Sequence, residues 1–162
     1  MITTLTFADK EPDKETGSRI VGGTAMNWTL EVVVVPVSDV DRAKEFYEAK
    51  LGFHLDHDTT VSEQMRFVQL TPPGSGCSVV LNKGMTPMAP GCLQGLQLVV
   101  NDVRRAHAEL SSRGVEVSEV RYAGPTGFRP ATDEDDLNNN GFVFFEDPDG
   151  NGWAVQQITA RP

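Results

Sequence analysis

The chain states one pattern twice. The segment LEVVVVPVSDVDRA, residues 30–43, returns as LQGLQLVVNDVRRA, residues 93–106, with Asp39/Asp102, Val40/Val103, Arg42/Arg105 and Ala43/Ala106 identical at a spacing of 63 residues. A second pair of segments, PPGSG at 72–76 and PDGNG at 148–152, matches at a spacing of 76, and each leads into an apolar run. Internal duplication of this kind constrains architecture before any single residue does. It calls for two copies of one supersecondary unit around a shared core.

Each copy reads as strand, helix, then further strands. Residues 29–37 form a short β-branched run, the signature of a buried strand, and Pro36 near its end points to an edge position or a close approach to the helix turn. Ser38 or Asp39 caps a helix carrying Val40, Ala43, Phe46, Tyr47 and Leu51 on one face, and Gly52 stops it. Strands are expected over 53–60, 65–71 and 77–82, the last two joined by the Pro72–Gly76 turn. The second copy repeats the order: a strand over 93–100, a helix opened by Asn101 or Asp102 and closed by Gly114, then strands over 115–122, 141–146 and 153–158. Residues 123–140 read as an irregular loop, a mobile lid or a functional insertion. The expected fold is α+β: two tandem βαβββ modules, about 27–83 and 91–158, forming a curved mixed sheet with an open trough. Residues 1–26 lie outside the repeat and read as a flexible N-terminal extension.

Composition narrows the function classes. At 162 residues the chain holds one domain or two half-domains. A net charge of −9 argues against nucleic acid as a partner. No run approaches the ~18 apolar residues of a membrane span, and the N-terminus lacks a secretion pattern. The two cysteines, Cys77 and Cys92, form neither a metal pair nor a disulfide framework, which fits a reducing, cytoplasmic setting.

The paired modules, together with PVSDVDRAKEFYEAKLGF, VVNDVRRAHAELSSRGVEV and FFEDPDGNGWAVQQ, resemble the vicinal oxygen chelate superfamily, the group of glyoxalase I, bleomycin-resistance proteins and extradiol dioxygenases. The resemblance spans residues 27–158. It implies the fold and a homodimer that completes the trough. It leaves the chemistry open, because the superfamily holds lyases, isomerases, dioxygenases, thiol transferases and non-catalytic drug binders.

The resemblance also implies where a divalent metal would be held, by His, Glu or Gln. Two ligands lie seven residues before each helix-opening Asp, here Val32 and Gly95. A third lies seven residues after the first Asp of the DPDGN turn, here Ala154, and the spacing of 76 maps it onto Ser78. Val, Gly and Ala have no donor atom and a lone Ser hydroxyl is a poor one, whereas a catalytic divalent site takes about three protein donors. Glu31 and Gln94 stand one residue away, on the opposite strand face unless a bulge intervenes. The expectation is therefore a trough with no metal, no cofactor and no catalytic residue.

Strand parity points Val32, Val34, Gly95, Gln97, Val99, Ala154 and Gln156 into the trough, an apolar wall with two amides. The ligand-binding set is read as Val32, Val34, His57, Ser78, Gly95, Gln97, Ala154 and Gln156. His54, Asp56, His57 and Asp58 are the one His/carboxylate cluster; spacing puts His54 and His57 on opposite faces and reads the segment as a solvated edge strand. Arg66, Tyr122, Phe128 and Arg129 are candidates for stacking on a planar ligand. Trp153 is expected to pack under the second helix, and Trp28 in the core or an interface. Two functions follow: a metal-independent small-molecule binder that sequesters an antibiotic or related metabolite, or a metal-dependent lyase or isomerase of glyoxalase type.

Overall fold

The computed structural model describes residues 26–63, 65–83 and 86–160. The reading of the first 26 residues as a flexible extension, Met26 apart, falls outside them. The first module runs β1 (Val32–Pro36), α1 (Val40–Glu45) with a π-helical continuation (Phe46–Lys50), β2 (His54–Ser62), β3 (Met65–Thr71) and β4 (Ser78–Asn82). The second runs β5 (Leu96–Val100), α2 (Val103–Ser112), β6 (Arg121–Gly124), β7 (Gly127–Pro130), β8 (Gly141–Glu146) and β9 (Gly152–Gln157). Each module builds its own mixed sheet, in the orders β1-β4-β3-β2 and β5-β9-β8-β6-β7. In both, the first strand is an edge strand pairing parallel with the module's last strand.

The repeated Asp does the same work twice. Asp39 accepts the Arg42 N–H at 3.1 Å and Asp102 the Arg105 N–H at 3.0 Å, so each satisfies an orphan donor at its helix N-terminus. Gly52 and Gly114, at φ +74° and +73°, then turn the chain out of each helix.

The modules share one core. Ala43, Phe46, Tyr47 and Leu51 cover Val35, Val68, Leu70, Val79 and Leu81 of the first sheet, and this cluster continues into Val103, Val143, Phe145, Trp153 and Val155 of the second. Trp153 was expected beneath the second helix. Its ring instead lies 5.9 Å from Tyr47 and 6.0 Å from Phe53, and its Nε1 donates to the Tyr47 hydroxyl at 3.0 Å. A large aromatic fills the seam between modules, where the two apolar faces need matching.

Residues 115–122 do not form the expected continuous strand. Val117 makes one isolated bridge to Phe145, and the Ser118 hydroxyl accepts the Phe144 N–H at 3.0 Å, so a side chain replaces a backbone partner and interrupts the ladder. The stretch 123–140, expected to be irregular, contains β7, paired with β6 through a Pro125-Thr126 turn. Beyond it, Asp135 gathers both terminal nitrogens of Arg129 and the Thr132 N–H and hydroxyl. Those bonds hold its carboxyl well below the usual range, Arg129 contributing most.

Candidate functional site

Cross-strand partners share a sheet face, so the ladder register sorts the strand residues by face. In the first sheet, Val33, Val35, Val79, Leu81, Val68 and Leu70 turn toward α1. Val32 and Ser78, Val34 and Val80, and Gln69 turn to the face that no helix of this module covers. In the second sheet, Trp153, Val155, Val143 and Phe145 face the core. The opposite face carries a row Gln97–Ala154–Phe144 and, beside it, a row Val99–Gln156–Phe142.

That second face is aromatic. Phe142 and Phe144, two residues apart on β8, hold their rings nearly parallel at 4° with centroids 6.1 Å apart. Phe128 reaches over from β7 and stands perpendicular to both, at 5.3 and 5.2 Å. Ala154 leaves a hollow between Gln97 and Phe144, and the Gln97 amide donates to the Gln156 carbonyl. Arg121 Nη2 donates to the Phe128 carbonyl at 3.2 Å, while its Nε is buried without a partner among the described residues. An open groove of about 760 Å³ reaches this face along Gln94, Gly95, Gly152, Ala154 and Phe144. Phe142 and Phe144 were not singled out from sequence; their i, i+2 spacing on a strand was the available signal.

The first sheet's helix-free face carries a polar chain beside Val32, Val34 and Val80 instead. Gln69 Nε2 lies 3.3 Å from Ser78 Oγ, Ser78 Oγ lies 2.6 Å from Thr71 Oγ1, and Thr71 donates to Asp56 Oδ2, whose other oxygen is 3.0 Å from His54 Nδ1. Because the Thr71 proton goes to the carboxylate, Ser78 donates to Thr71, and the donors all run toward Asp56. Thr71 first and His54 second hold that carboxyl below its ordinary range.

A bulge sets this arrangement. His54 pairs with Thr71 and Leu55 with Leu70, but His57 pairs with Gln69, so Asp56 is the surplus residue. His54 and His57 were expected on opposite faces; the bulge puts both on the helix-free face. Asp58, opposite Val68, turns to the other side, where Arg66 and Lys44 bind it at 2.8–2.9 Å and drive its carboxyl far down. Arg66 is thus held away from the groove. Tyr122 and Arg129 pair with each other across β6 and β7, the guanidinium 4.5 Å over the ring, one residue out of step with Phe128 and so on the opposite side.

The register also revises the metal positions. Val33 pairs with Val79 and Leu96 with Trp153, so the last strands correspond at 153 − 79 = 74, not 76. Ala154 therefore has Val80 as its counterpart, and Ser78 corresponds to Gly152. The corners become Val32, Val80, Ala154 and, because Gly95 is surplus in its strand, Gln94; one amide donor among four falls short of the roughly three that a catalytic metal takes, so the residues at these corners do not fit a metal. A second bulge does act on Gln94: Leu93 O accepts the Gly152 N–H at 2.8 Å while Leu96 already pairs with Trp153, and Gly95, at φ +84°, absorbs the surplus. A Cβ at Gly152 would meet Gln94 Oε1, so the amide lies over the helix-free face, anchored to Gly150 O at 3.0 Å. One amide is all this bulge supplies. Among the described residues no three His, Cys, Asp or Glu side chains are grouped to hold a metal ion.

Of the expected ligand-binding set, the groove brings together Gly95 and Ala154. Gln97 and Gln156 stand on the same face beside it; Val32, Val34, His57 and Ser78 stand on the other sheet.

Comparison with known proteins agrees with the two-module fold. Residues 29–155 match the model of the glyoxalase/bleomycin resistance protein/dioxygenase superfamily. TnmS3, an antibiotic binding protein from Streptomyces sp. CB03234, is 32% identical, with a TM-score of 0.65 over 83% of this chain and 99% of that one. A glyoxalase/bleomycin resistance protein from the same organism is 34% identical, TM-score 0.62, over 80% and 100%. A superfamily member from Sphaerobacter thermophilus DSM 20745 is 28% identical, TM-score 0.66, over 82% and 99%. No curated protein matches.

Proposed function

This chain belongs to the glyoxalase/bleomycin resistance protein/dioxygenase superfamily, and from that premise we propose that it binds a small organic molecule, an antibiotic or related metabolite, without a metal ion. The observation that carries this reading is the set of corners Val32, Val80, Ala154 and Gln94. Where the superfamily's metal-dependent enzymes hold donors, this chain has three methyl-bearing side chains and a single amide. A wall of Phe144, Ala154 and Gln97 stands beside an open groove that Lys50, Glu116 and Glu146 also line, so apolar area meets a few orienting polar groups, the make-up of a binding site. The similarity to an antibiotic binding protein supports the ligand class.

The competing reading, a metal-dependent lyase or isomerase, has Gln94 and the Glu146 carboxylate of the same groove to build on, fewer than the roughly three donors a catalytic site takes. Thermal denaturation of chelator-treated protein against a panel of antibiotics and metabolites separates the two. Stabilisation that survives chelation is expected. Ligand stabilisation that requires added Zn²⁺, Ni²⁺ or Mn²⁺ would overturn the proposal.

The proposal extends to a homodimer. Met26, Trp28, Leu30 and Val32 alternate with polar residues and are exposed, Trp28 at 89%, along the approach to an edge strand. An exposed apolar strip on an open sheet edge invites a second copy. Val32, at the end of the strip, shares the helix-free face of the first sheet with Val34, so a partner seated there would extend that face. No helix among the described residues is long and apolar enough to cross a membrane, and a cytoplasmic location belongs to the same proposal.

A further inference from the structure

The aromatic face holds a ring that is not part of the sheet's own packing. Phe142 and Phe144 project from adjacent same-face positions of β8 and are partly covered. Phe128 comes from β7, which has no counterpart among the described residues of the first module and is exposed at every residue. Its ring stands at 85° and 89° to the other two, the edge-to-face geometry an aromatic quadrupole favours, yet it stays 49% exposed. The backbone beneath it is fixed independently: Arg129 on one side is clamped by Asp135 at 2.6–2.7 Å, and the Phe128 carbonyl is held by Arg121. Phe128 can therefore leave the pair by a side-chain rotation alone, without unpairing β6 from β7. Rotations of exposed side chains are fast and cost little.

We propose that Phe128 is a displaceable stand-in for a flat aromatic ring of the ligand, which takes its place against Phe142 and Phe144 when bound. This rests on the binding reading above and deepens it, naming the ligand class as a planar fused aromatic. Two features support the class. A flat ring lying across two parallel Phe edges gains two edge-to-face contacts at once, and a saturated, puckered ring of the same size gains neither. The neighbouring Gln97–Gln156 amide pair and the hollow at Ala154 lie on the same face, so a ring system larger than one benzene has room to extend along the Gln97–Ala154–Phe144 row.

The test uses the full chain with acridone, a flat fluorescent tricycle, and dicyclohexyl ketone, which keeps the carbonyl and loses the flat ring. Acridone is titrated by fluorescence, and both compounds are scored by thermal denaturation. Acridone is expected to bind and dicyclohexyl ketone not to. Phe128→Ala, which removes the competing ring, should tighten acridone several-fold, and Phe144→Ala should weaken it at least tenfold. Weaker or unchanged acridone binding in Phe128→Ala overturns the stand-in role, and equal binding of the two ketones overturns the planar class. No acridone binding by wild type and Phe128→Ala alike also overturns the inference. The broader proposal then stands if the antibiotic panel still stabilises the chelated protein, and falls with it if no compound does. Circular dichroism and thermal midpoints of both variants without probe report whether each folds.

Discussion

The Tyr47 hydroxyl donates to Asp147 Oδ2 at 2.9 Å, across one hundred residues of sequence, in the buried seam between the modules. The same hydroxyl accepts from Trp153 Nε1, and the same carboxylate takes Asn151 Nδ2 and the backbone N–H groups of Asp149 and Asn151. Asn151 in turn donates to the Pro36 carbonyl, closing the network onto β1. Burial first and the Asp147 charge second push the Tyr47 hydroxyl far up, so it remains a donor at every working pH. Tyr47→Phe leaves Asp147 one donor short and strands the Trp153 N–H, which costs about 2–3 kcal/mol. The expected result is a lower urea midpoint with an unchanged slope, read by circular dichroism. A midpoint equal to wild type would mean that the Tyr47 hydroxyl adds nothing to the seam beyond its ring's packing.

Filling the hollow at Ala154 isolates the site from the fold. Ala154→Trp points a large side chain onto the helix-free face, between Gln97 and Phe144, away from the core. It should abolish stabilisation by any ligand found in the panel and shift the ligand-free thermal midpoint by only a few degrees. Retained ligand stabilisation in this variant would place the site elsewhere. Exhaustive dialysis against a chelator should leave wild-type ligand affinity within about twofold.

Asp58 makes a stability prediction with a definite sign. Its carboxyl is depressed in the folded state, by Arg66 first and Lys44 second. A depressed carboxyl contributes stability that is fully present above its unfolded pKa, near 3.9, and is lost as the pH falls toward the folded value. Wild type should therefore lose part of its stability between about pH 5 and pH 2, and Asp58→Asn should flatten that limb while costing roughly 1 kcal/mol at pH 7. Thermal midpoints across pH 2–7 for the two proteins check this; parallel curves would show that the pair is energetically silent.

The two tryptophans report on assembly separately, because Trp153 is buried and Trp28 is exposed. In a homodimer sealed by the 26–32 strip, Trp28 is shielded from iodide at high concentration and becomes quenchable on dilution. Trp28→Glu should give a monomer by sedimentation. A dimer that persists in this variant, or a wild-type monomer at all concentrations, would contradict the proposed seam.

Much of this molecule was legible in the linear chain because the relevant forces are local. The Asp39 and Asp102 caps, the Gly52 and Gly114 stops, the duplication and the missing donors at 32, 95 and 154 all follow from residue type and short spacing. The hairpin within 123–140 was also partly legible, since Gly124-Pro125-Thr126-Gly127 is turn-forming material. The faces of the strands were not. Which side a strand residue takes depends on the parity of a count, and one surplus residue, Asp56 in β2 or Gly95 before β5, reverses everything on its far side. The matching turns at 72 and 148 likewise share chemistry at a spacing of 76 while the ladders beside them pair at 74, because turns of similar sequence need not hold equal lengths of strand. So the sequence by itself determined the two-module plan and the side-chain chemistry available at 32, 95 and 154. Only the tertiary structure decided that Trp153 seals the modules against Tyr47, that His54 and His57 share a face, and that three phenylalanines meet over one sheet. Those outcomes rest on hydrogen-bond register and on contacts between segments distant in sequence, which local patterning does not specify.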